Sequence, residues 1–498
     1  MTTAQHTTRV VIIGGGFSGI GMAIRLRQRG ITDFVILERA SEAGGTWRDN
    51  SYPGCACDVQ SSLYSFSFAA NPEWSHTYAP QAEIWQYLRT CAAKFDIDRH
   101  FVFSQTVTGA EWDDAMQRWT VRTSRGDAWS ARVVIMASGA LSEPMVPRLP
   151  GLDTFMGTTF HSAQWRHDID LTGKRVGVIG TGASAIQFVP HIQPRVAHLD
   201  VFQRTPPWIM PRRDRAVADW TKSLYRAFPP AQRLVRGALY AQRELLHVPF
   251  RHRGAGRVVE WVSRRHLHSQ VRDSVLRDAL TPRYQIGCKR ILVSDDFYPA
   301  MQQPNVALVV RPVTGVIADG VMTDDGVLHP ADVIIFGTGF RPTDPPLAPT
   351  IIGRDGVSLA DAWRGSPAAY MGTSVPGFPN FFMLLGPNTG LGHSSVMLMS
   401  EAQMEHVLRL VSLMEARNAA TVEPMSQALT RYVTWLDARL SSTTWNAGGC
   451  NSWYLDRTGR NSTLWPDGVG RFVRTVSRVN ADDYQFQPAH ASAAEGAR

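Results

Sequence analysis

Two stretches of the chain share one pattern of apolar and polar positions. Residues 10–39, VVIIGGGFSGIGMAIRLRQRGITDFVILER, and residues 175–204, RVGVIGTGASAIQFVPHIQPRVAHLDVFQR, each run from a short apolar block through a glycine turn into helical spacing and on to a second apolar block. Short apolar blocks bounded by turn residues predict strands buried on both faces, and the order strand, turn, helix, strand predicts a βαβ unit in a parallel sheet. VVIMASG (133–139) reads as a further buried strand before the Pro-rich hinge EPMVPRLPG, and ADVIIFGTGFRP (331–342) repeats that pattern later. From 213 to 280 strand character disappears. There Leu234, Val235, Ala238, Leu239, Leu245 and Leu246 fall near helical spacing.

These patterns predict an α/β protein with two Rossmann-like dinucleotide-binding domains and a helical insert. The expected division is 1–146 with 345–498 as the first domain, 150–211 with 288–344 as the second, and 212–287 as the insert. The small, polar tail after about Gln485 is expected to be unstructured.

The two turns end differently. In the first, Gly14, Gly16 and Gly19 form GxGxxG, with Phe17 and Ser18 inside it, and Glu38 stands 24 residues past Gly14. The glycines allow a tight turn and close approach to a pyrophosphate, the helix N-terminus offers free N–H groups, and the acid accepts from ribose hydroxyls. The second has Gly180, Thr181, Gly182, Ala183, Ser184 and Ala185, with Gln187 in the helix, and the position 24 past Gly180 is Arg204, followed by Thr205. A cation and a hydroxyl there suit a 2′-phosphate. The first site is therefore expected to take FAD or NAD and the second NADPH; Arg204 as a solvated strand-end charge is the plainer alternative.

Composition changes little except in one place. The net charge is +8, and residues 212–280 hold fourteen Arg and one Lys against six acids, a local balance of +9, so the rest of the chain stands at −1. No recognition helix or zinc finger accompanies this charge, and nucleic acid is not an expected partner. No run of about 18 apolar residues occurs, and MTTAQHTTRV lacks the layout of a secretion signal. Five scattered cysteines, Cys55, Cys57, Cys91, Cys288 and Cys450, suit a reducing cytoplasm better than a disulfide scaffold. CxC at Cys55–Cys57 is not the CxxC of disulfide reductases, and neither a metal-ligand spacing nor a GxSxG elbow is found.

GGTWRDNSYPGCACD (44–58) resembles the flavin-binding stretch of class B flavoprotein monooxygenases, and FMGTTFHSAQW (155–165) resembles the fingerprint of their Baeyer–Villiger branch, with Trp165 where the amine- and sulfur-oxidising branch usually has Tyr. Arg166 departs from the Pro or Asp of that pattern. GCKR (287–290), FGTGF (336–340), GPNTGLGHSS (386–395) and NSWY (451–454) follow in the family's order. The resemblance implies an FAD- and NADPH-dependent enzyme that uses O2, through a C4a-peroxyflavin, to convert ketones to esters or lactones, with sulfoxidation as a side activity. It assigns Arg290 as the cation beside the reactive oxygen and Asp58 as the carboxylate that holds it. Lys289 would join Arg204 and Thr205 at the 2′-phosphate. Thr46, Trp47, Asp58 and Tyr64 would touch the flavin, Val107 would lie on the adenine-side strand, and Trp453 would contact nicotinamide from a mobile loop. His161 reads as a linker residue, not an acid or base, and GPNTGLGHSS as a turn directing a helix N-terminus toward the flavin.

Three other readings stay open at this point. An N- or S-oxygenating flavin monooxygenase shares both nucleotide sites, and an NADPH oxidase shares the cofactors without productive oxygenation. Peripheral contact with a membrane surface or a partner through the basic insert is the third; the insert otherwise walls off the site or attracts NADPH. Neither the ketone nor the oligomeric state is legible.

Overall fold

The computed structural model describes residues 5–450 and 452–490. Both repeated stretches are βαβ units. In the first, β1 (Gln5–Ile13) leads through α1 (Phe17–Gln28) to β2 (Phe34–Leu37). The sheet is completed by β3 (Phe101–Val102), β4 (Val107–Asp113), β5 (Arg118–Thr123) and β6 (Ala128–Met136). β3, β2, β1 and β6 lie side by side in parallel, with Val10–Ile13 of β1 between Phe34–Leu37 and Val133–Met136. β5 and β4 continue the sheet antiparallel, Ile351–Ile352 adds to β4, and Phe381–Met383 pairs with the end of β6. The sequence order therefore switches direction at β1, and the crevice beyond its carboxyl end is where such sheets take ligands.

The second sheet is parallel throughout: Val306–Val309, β9 (His198–Phe202), β8 (Arg175–Ile179), Val333–Phe336 and β7 (Thr158–His161), with α4 (Ala185–Ile192) connecting β8 to β9. The fingerprint 155–165 thus supplies an edge strand of this sheet rather than a free linker. Phe160 and Trp165 pack edge to face at 5.2 Å, and Trp165 packs on Phe188 of α4 at 5.3 Å. His161 is buried, its Nδ1 accepts from the Ala163 N–H at 3.1 Å, and burial holds its pKa below the ordinary value. Arg166 points away from this packing and pairs with Asp168 at 2.5 Å.

Between the two halves of the second sheet the chain forms α5 (Asp219–Ala227), α6 (Pro229–Leu245), α7 (Arg253–Gln270) and a short helix, Ser274–Ala279. Its base is closed where Ile209–Met210 pairs in parallel with Leu292–Val293. Two expectations need correction. The segment beyond Gln485 begins as a strand, since Tyr484–Pro488 pairs antiparallel with Ala419–Pro424; residues 491–498 lie outside the described ones. Cys288 and Cys450 are bonded to each other, whereas Cys55, Cys57 and Cys91 are free and buried. Among the described residues no helix is long and apolar enough to cross a membrane.

The C-terminal strand is tied down by His406, on the helix Val396–Ala416. Its Nδ1–H donates to Val476 O and its Nε2 accepts from the Tyr484 hydroxyl, both at 2.7 Å. Burial pulls its pKa down to about 4. An imidazole whose folded pKa lies below its unfolded one leaves the unfolded chain binding more protons between those values. Its contribution is therefore complete above about pH 6.5 and is lost as the pH falls toward 4, by up to about 3 kcal/mol. Thermal melts from pH 8 to 4 should show stability falling below about pH 6.5, with a shallower fall in His406→Gln; equal slopes in both proteins would remove His406 as the cause.

Candidate functional site

The two glycine turns are built alike. Gly14 has φ +104° and Gly180 φ +107°, and a Cβ on them would lie 2.8 Å from Ala137 O and 2.6 Å from Gly337 O. In each sheet the strand entering at the switch point, β6 or Val333–Phe336, therefore exits against the turn. A Cβ on Gly19 would collide with Gly14 O, whereas Ala185 fills the corresponding place in the second unit. Phe17 and Ser18 open α1, and their N–H groups have no acceptor among the described residues, as a first helical turn leaves them. Phe17 packs edge to face on Tyr64 at 5.3 Å, and Ser18 Oγ lies 3.0 Å from Ser400 Oγ, fixing α1 on Val396–Ala416. In the second turn Thr181 is buried, Gly182 and Ala183 are exposed, and Ser184 precedes α4.

Glu38 is buried at the end of β2. Its Oε2 accepts from the Gly15 N–H at 2.7 Å, and its Oε1 accepts from the Ala40 N–H at 3.0 Å and from Arg48 Nη1 at 3.1 Å. Sequence reasoning missed Arg48. It lies in α2 (Thr46–Asp49), which follows the close contact of Gly45 with Gly16. Thr46 is exposed at the start of α2, and the Trp47 indole N–H donates to the Tyr64 hydroxyl at 3.1 Å. Val107, the first residue of β4, is buried two positions beyond Gln105, whose N–H donates to Glu38 O at 2.9 Å. Arg48 and Trp47 of α2 thus connect Glu38 on one side with Tyr64 on the other.

Asp58 meets a cation from far along the chain. Arg290 Nη2 and Nε donate to Asp58 Oδ2 at 2.5 and 3.1 Å, across 232 residues of sequence. Burial alone would raise the Asp58 pKa, but the charge and hydrogen bonds of Arg290, with Arg243 nearby, bring it below the ordinary carboxylate value. Asp58 in turn raises Arg290, against the effect of burial. Arg290 Nη1 has no protein partner among the described residues, and a third of the side chain is exposed. Three further groups from distant sequence complete the setting. Arg243 of α6 donates to Gln60 Oε1 at 2.8 Å. Tyr454, whose hydroxyl is buried without a partner, is pushed up to about 12 by burial, with Arg290 and Asp58 acting on it in opposite directions. The Cys288–Cys450 bond joins the Arg290 turn to the segment leading to Tyr454.

The structure brings Lys289 close enough to Arg204 that, after burial, the Arg204 charge is the next cause lowering the Lys289 pKa. Neither cation has a carboxylate within 4 Å among the described residues; Arg204 is exposed and Thr205 follows it. Gln187 connects the two halves of the cleft: Tyr52 Oη donates to its Oε1 at 2.9 Å, and its Nε2 donates to Ala56 O at 3.0 Å. Trp453 is exposed, stacked obliquely against Tyr454 at 4.5 Å, and it does not join the Asp58 cluster; Asn451 of the same motif lies outside the described residues.

Known proteins resemble the chain over nearly its full length. Residues 7–355 match the family described as flavin-binding monooxygenase-like. A Baeyer-Villiger monooxygenase of Streptomyces coelicolor is 49% identical over 97% of this chain and 93% of its own. One from Pseudomonas aeruginosa is 47% identical, over 97% and 92%. Among solved structures, an oxidized steroid monooxygenase bound to NADP matches with a TM-score of 0.87 at 32% identity, covering 97% of this chain and 99% of that one. A closed cyclohexanone monooxygenase matches with a TM-score of 0.87 at 31% identity, covering 98% and 100%.

Gly19→Ala should open the first turn and abolish retention of a bound dinucleotide through purification, measured by absorbance and by chromatography of the released nucleotide. Gly237→Ala, where no atom lies within 4 Å of the new Cβ, serves as the control and should retain it. Equal retention in both variants would count against the first turn as the pyrophosphate cradle.

Proposed function

The chain belongs to the flavin-binding monooxygenase family, in its Baeyer–Villiger branch, and from that premise we propose that Arg290, held by Asp58, is the fixed cation beside which oxygen is transferred to a ketone. The observation that carries this reading is the pair of hydrogen bonds by which Arg290 Nε and Nη2 both donate to Asp58 Oδ2. FAD fits the first turn, where a Cβ at Gly14 or Gly19 would fill the cradle and the Phe17 and Ser18 N–H groups are free. Gly14, Gly16, Phe17, Ser18 and Gly19 would hold its pyrophosphate, Glu38 its ribose, and Thr46, Trp47, Asp58 and Tyr64 its ring, with Val107 on the adenine side. NADPH fits the second, with Gly180, Thr181, Gly182, Ala183, Ser184 and Gln187 at the turn and Arg204, Thr205 and Lys289 at the 2′-phosphate. Trp453 would reach the nicotinamide only after its loop moves. Residues 1–146 with 345–498 and residues 150–211 with 288–344 are assigned to these two cofactors, and 212–287 to the insert.

Bound FAD, reduced by NADPH, supplies activated oxygen; the balance is ketone, O2, NADPH and a proton giving ester or lactone, NADP+ and water. The residues do the rest. Arg290 stays charged at any working pH, so it stabilises negative charge without surrendering a proton. Asp58 remains ionised because its pKa is depressed, and it fixes one edge of the guanidinium while Nη1 stays available. Tyr454, neutral at working pH, adds a hydroxyl next to the pair. Trp47, Tyr64 and Phe17 form an aromatic wall that excludes water. The same oxygen is expected to be transferred to sulfides as a side activity. The rival reading, N- or S-oxygenation alone, needs no carboxylate-held arginine.

Two experiments test the proposal. Arg290→Lys should retain FAD and NADPH oxidation but lose ester formation by about a hundredfold or more, the loss typical of removing one oxyanion donor. Products are identified by mass with a panel of linear, cyclic, aryl and steroid ketones and one sulfide. Undiminished ester yield would overturn the role of Arg290, and sulfoxide alone from the unaltered enzyme would favour the rival. Arg204→Gln should raise the NADPH KM about tenfold to a hundredfold, the worth of one charge-assisted contact, and leave NADH nearly unchanged. Equal effects on both cofactors would remove Arg204 from the phosphate site.

A further inference from the structure

Helix α6 packs only Leu239 and Tyr240 of its apolar residues against the core, and most of its inward side is polar. Gln232, Arg236, Arg243 and Glu244 face the protein, at the spacing of one helix face, and all four are hydrogen-bonded there. Gln232 donates to Asn71 O at 2.6 Å, and Arg236 donates to Ser62 O and Leu63 O at 2.9 and 3.1 Å. Glu244 accepts from the N–H groups of Val469 and Gly470 at 3.0 Å each. The opposite face, Leu234, Ala238, Ala241 and Leu245, is apolar and exposed, with Leu234 at 73% and Leu245 at 71%. Helix α5, which packs on α6, repeats the pattern: Lys222 is tucked in, while Trp220 at 71% exposure, Leu224 and Phe228 point out. A water-soluble helix normally buries such a face, and a contiguous apolar patch rimmed by polar groups marks a surface that something covers.

Charge selects the occupant. Residues 212–280 carry +9, and within the hairpin Arg226 and Arg233 are exposed beside the apolar stripe. Arg233 has no carboxylate within 4 Å among the described residues, whereas the exposed acids beside the hairpin are already paired, Asp219 with Lys222 at 3.4 Å and Glu73 with Arg226 at 3.3 Å. A second copy would meet this surface with itself in an isologous contact, setting arginine against arginine. An anionic lipid surface instead accepts Trp and Leu at its acyl boundary and arginine at its headgroups. We propose that the α5–α6 hairpin docks the protein peripherally on anionic phospholipid, through Trp220, Leu224, Phe228, Leu234 and Leu245. The inner face of the same helix covers residues 60–71, so docking sets the flavin-side segment close to a phase in which apolar ketones concentrate.

The test is flotation of the full-length FAD-loaded protein with vesicles of phosphatidylcholine, with and without phosphatidylglycerol, at low and high salt. Binding is expected only to the anionic vesicles and should fall as salt rises. Leu234→Ser/Leu245→Ser should weaken it at least about tenfold, as should Arg233→Glu, each with unchanged melting temperature and flavin content. No binding to anionic vesicles, or equal binding by both variants, overturns the proposal. A concentration-dependent dimer in sedimentation that the double variant abolishes, with vesicles unbound, overturns it in favour of self-association.

Discussion

A guanidinium can be kept at the mouth of a cleft only if something holds one edge without neutralising the other. The contact that meets this condition is Arg290 on Asp58, in which both donors converge on a single carboxylate oxygen. The two residues lie in loops 232 positions apart, so the ion pair also ties the segment after α2 to the segment that leads into Leu292–Val293. Its partners are mutually stabilising: burial disfavours the charge on each, and each charge reverses that effect on the other. Removing one partner would leave the other charged and partly desolvated, a larger perturbation than losing an exposed ion pair.

The framework around the pair is correspondingly redundant. Leu292 donates to Trp208 O at 2.9 Å at the closed base of the insert, which anchors the chain two residues past Arg290. On its other side Cys288 is bonded to Cys450, and Gly287, at φ +90°, brings the backbone so near Phe250 that a Cβ would lie 2.6 Å from the ring. Phe250 in turn stacks on Trp445 at 4.9 Å. Asp58 is held by its own neighbours, with the Cys57 N–H donating to Ala79 O at 3.0 Å and Gln187 reaching across to Ala56. A positional error at either end would lengthen a 2.5 Å contact, so both ends are fixed by backbone.

What could be read from the sequence follows from this. The turns were legible because Gly14 and Gly180 answer a backbone constraint that few other residues satisfy, and because strand and helix periods flank them. Arg290 and Asp58 became legible only through resemblance, since nothing in local pattern says that two residues 232 positions apart will meet. Arg48 on Glu38, Arg243 beside Gln60 and the unpartnered hydroxyl of Tyr454 carry no local signal at all; they are products of packing. The apolar stripe of α6 was visible as helical spacing, but spacing gives a face and not its direction. Arg236 and Glu244, bonded inward, reveal that Leu234 and Leu245 look out while Leu239 packs inward. The strand Tyr484–Pro488 was hidden because short, polar-flanked strands lack a period, and the Cys288–Cys450 bond because cysteine counting weighs the compartment and not proximity.

The cations of this protein divide by whether a carboxylate has been provided for them. Arg48 has Glu38, Arg290 has Asp58, and Arg439 and Arg251 share Asp467. Arg204 and Lys289 have none within 4 Å among the described residues, and they lie near enough for one to depress the other. Two like charges set together without a counter-ion lower stability unless an anion sits between them. Such an anion would relieve the repulsion and gain charge-assisted hydrogen bonds at once, which is what the proposed 2′-phosphate site asks of this pair. Arg290 is the opposite case: Asp58 already holds one edge of its guanidinium through Nε and Nη2, and only Nη1 is left without a protein partner among the described residues. Pairing in one place and its absence in the other thus express a single electrostatic rule applied to two different tasks.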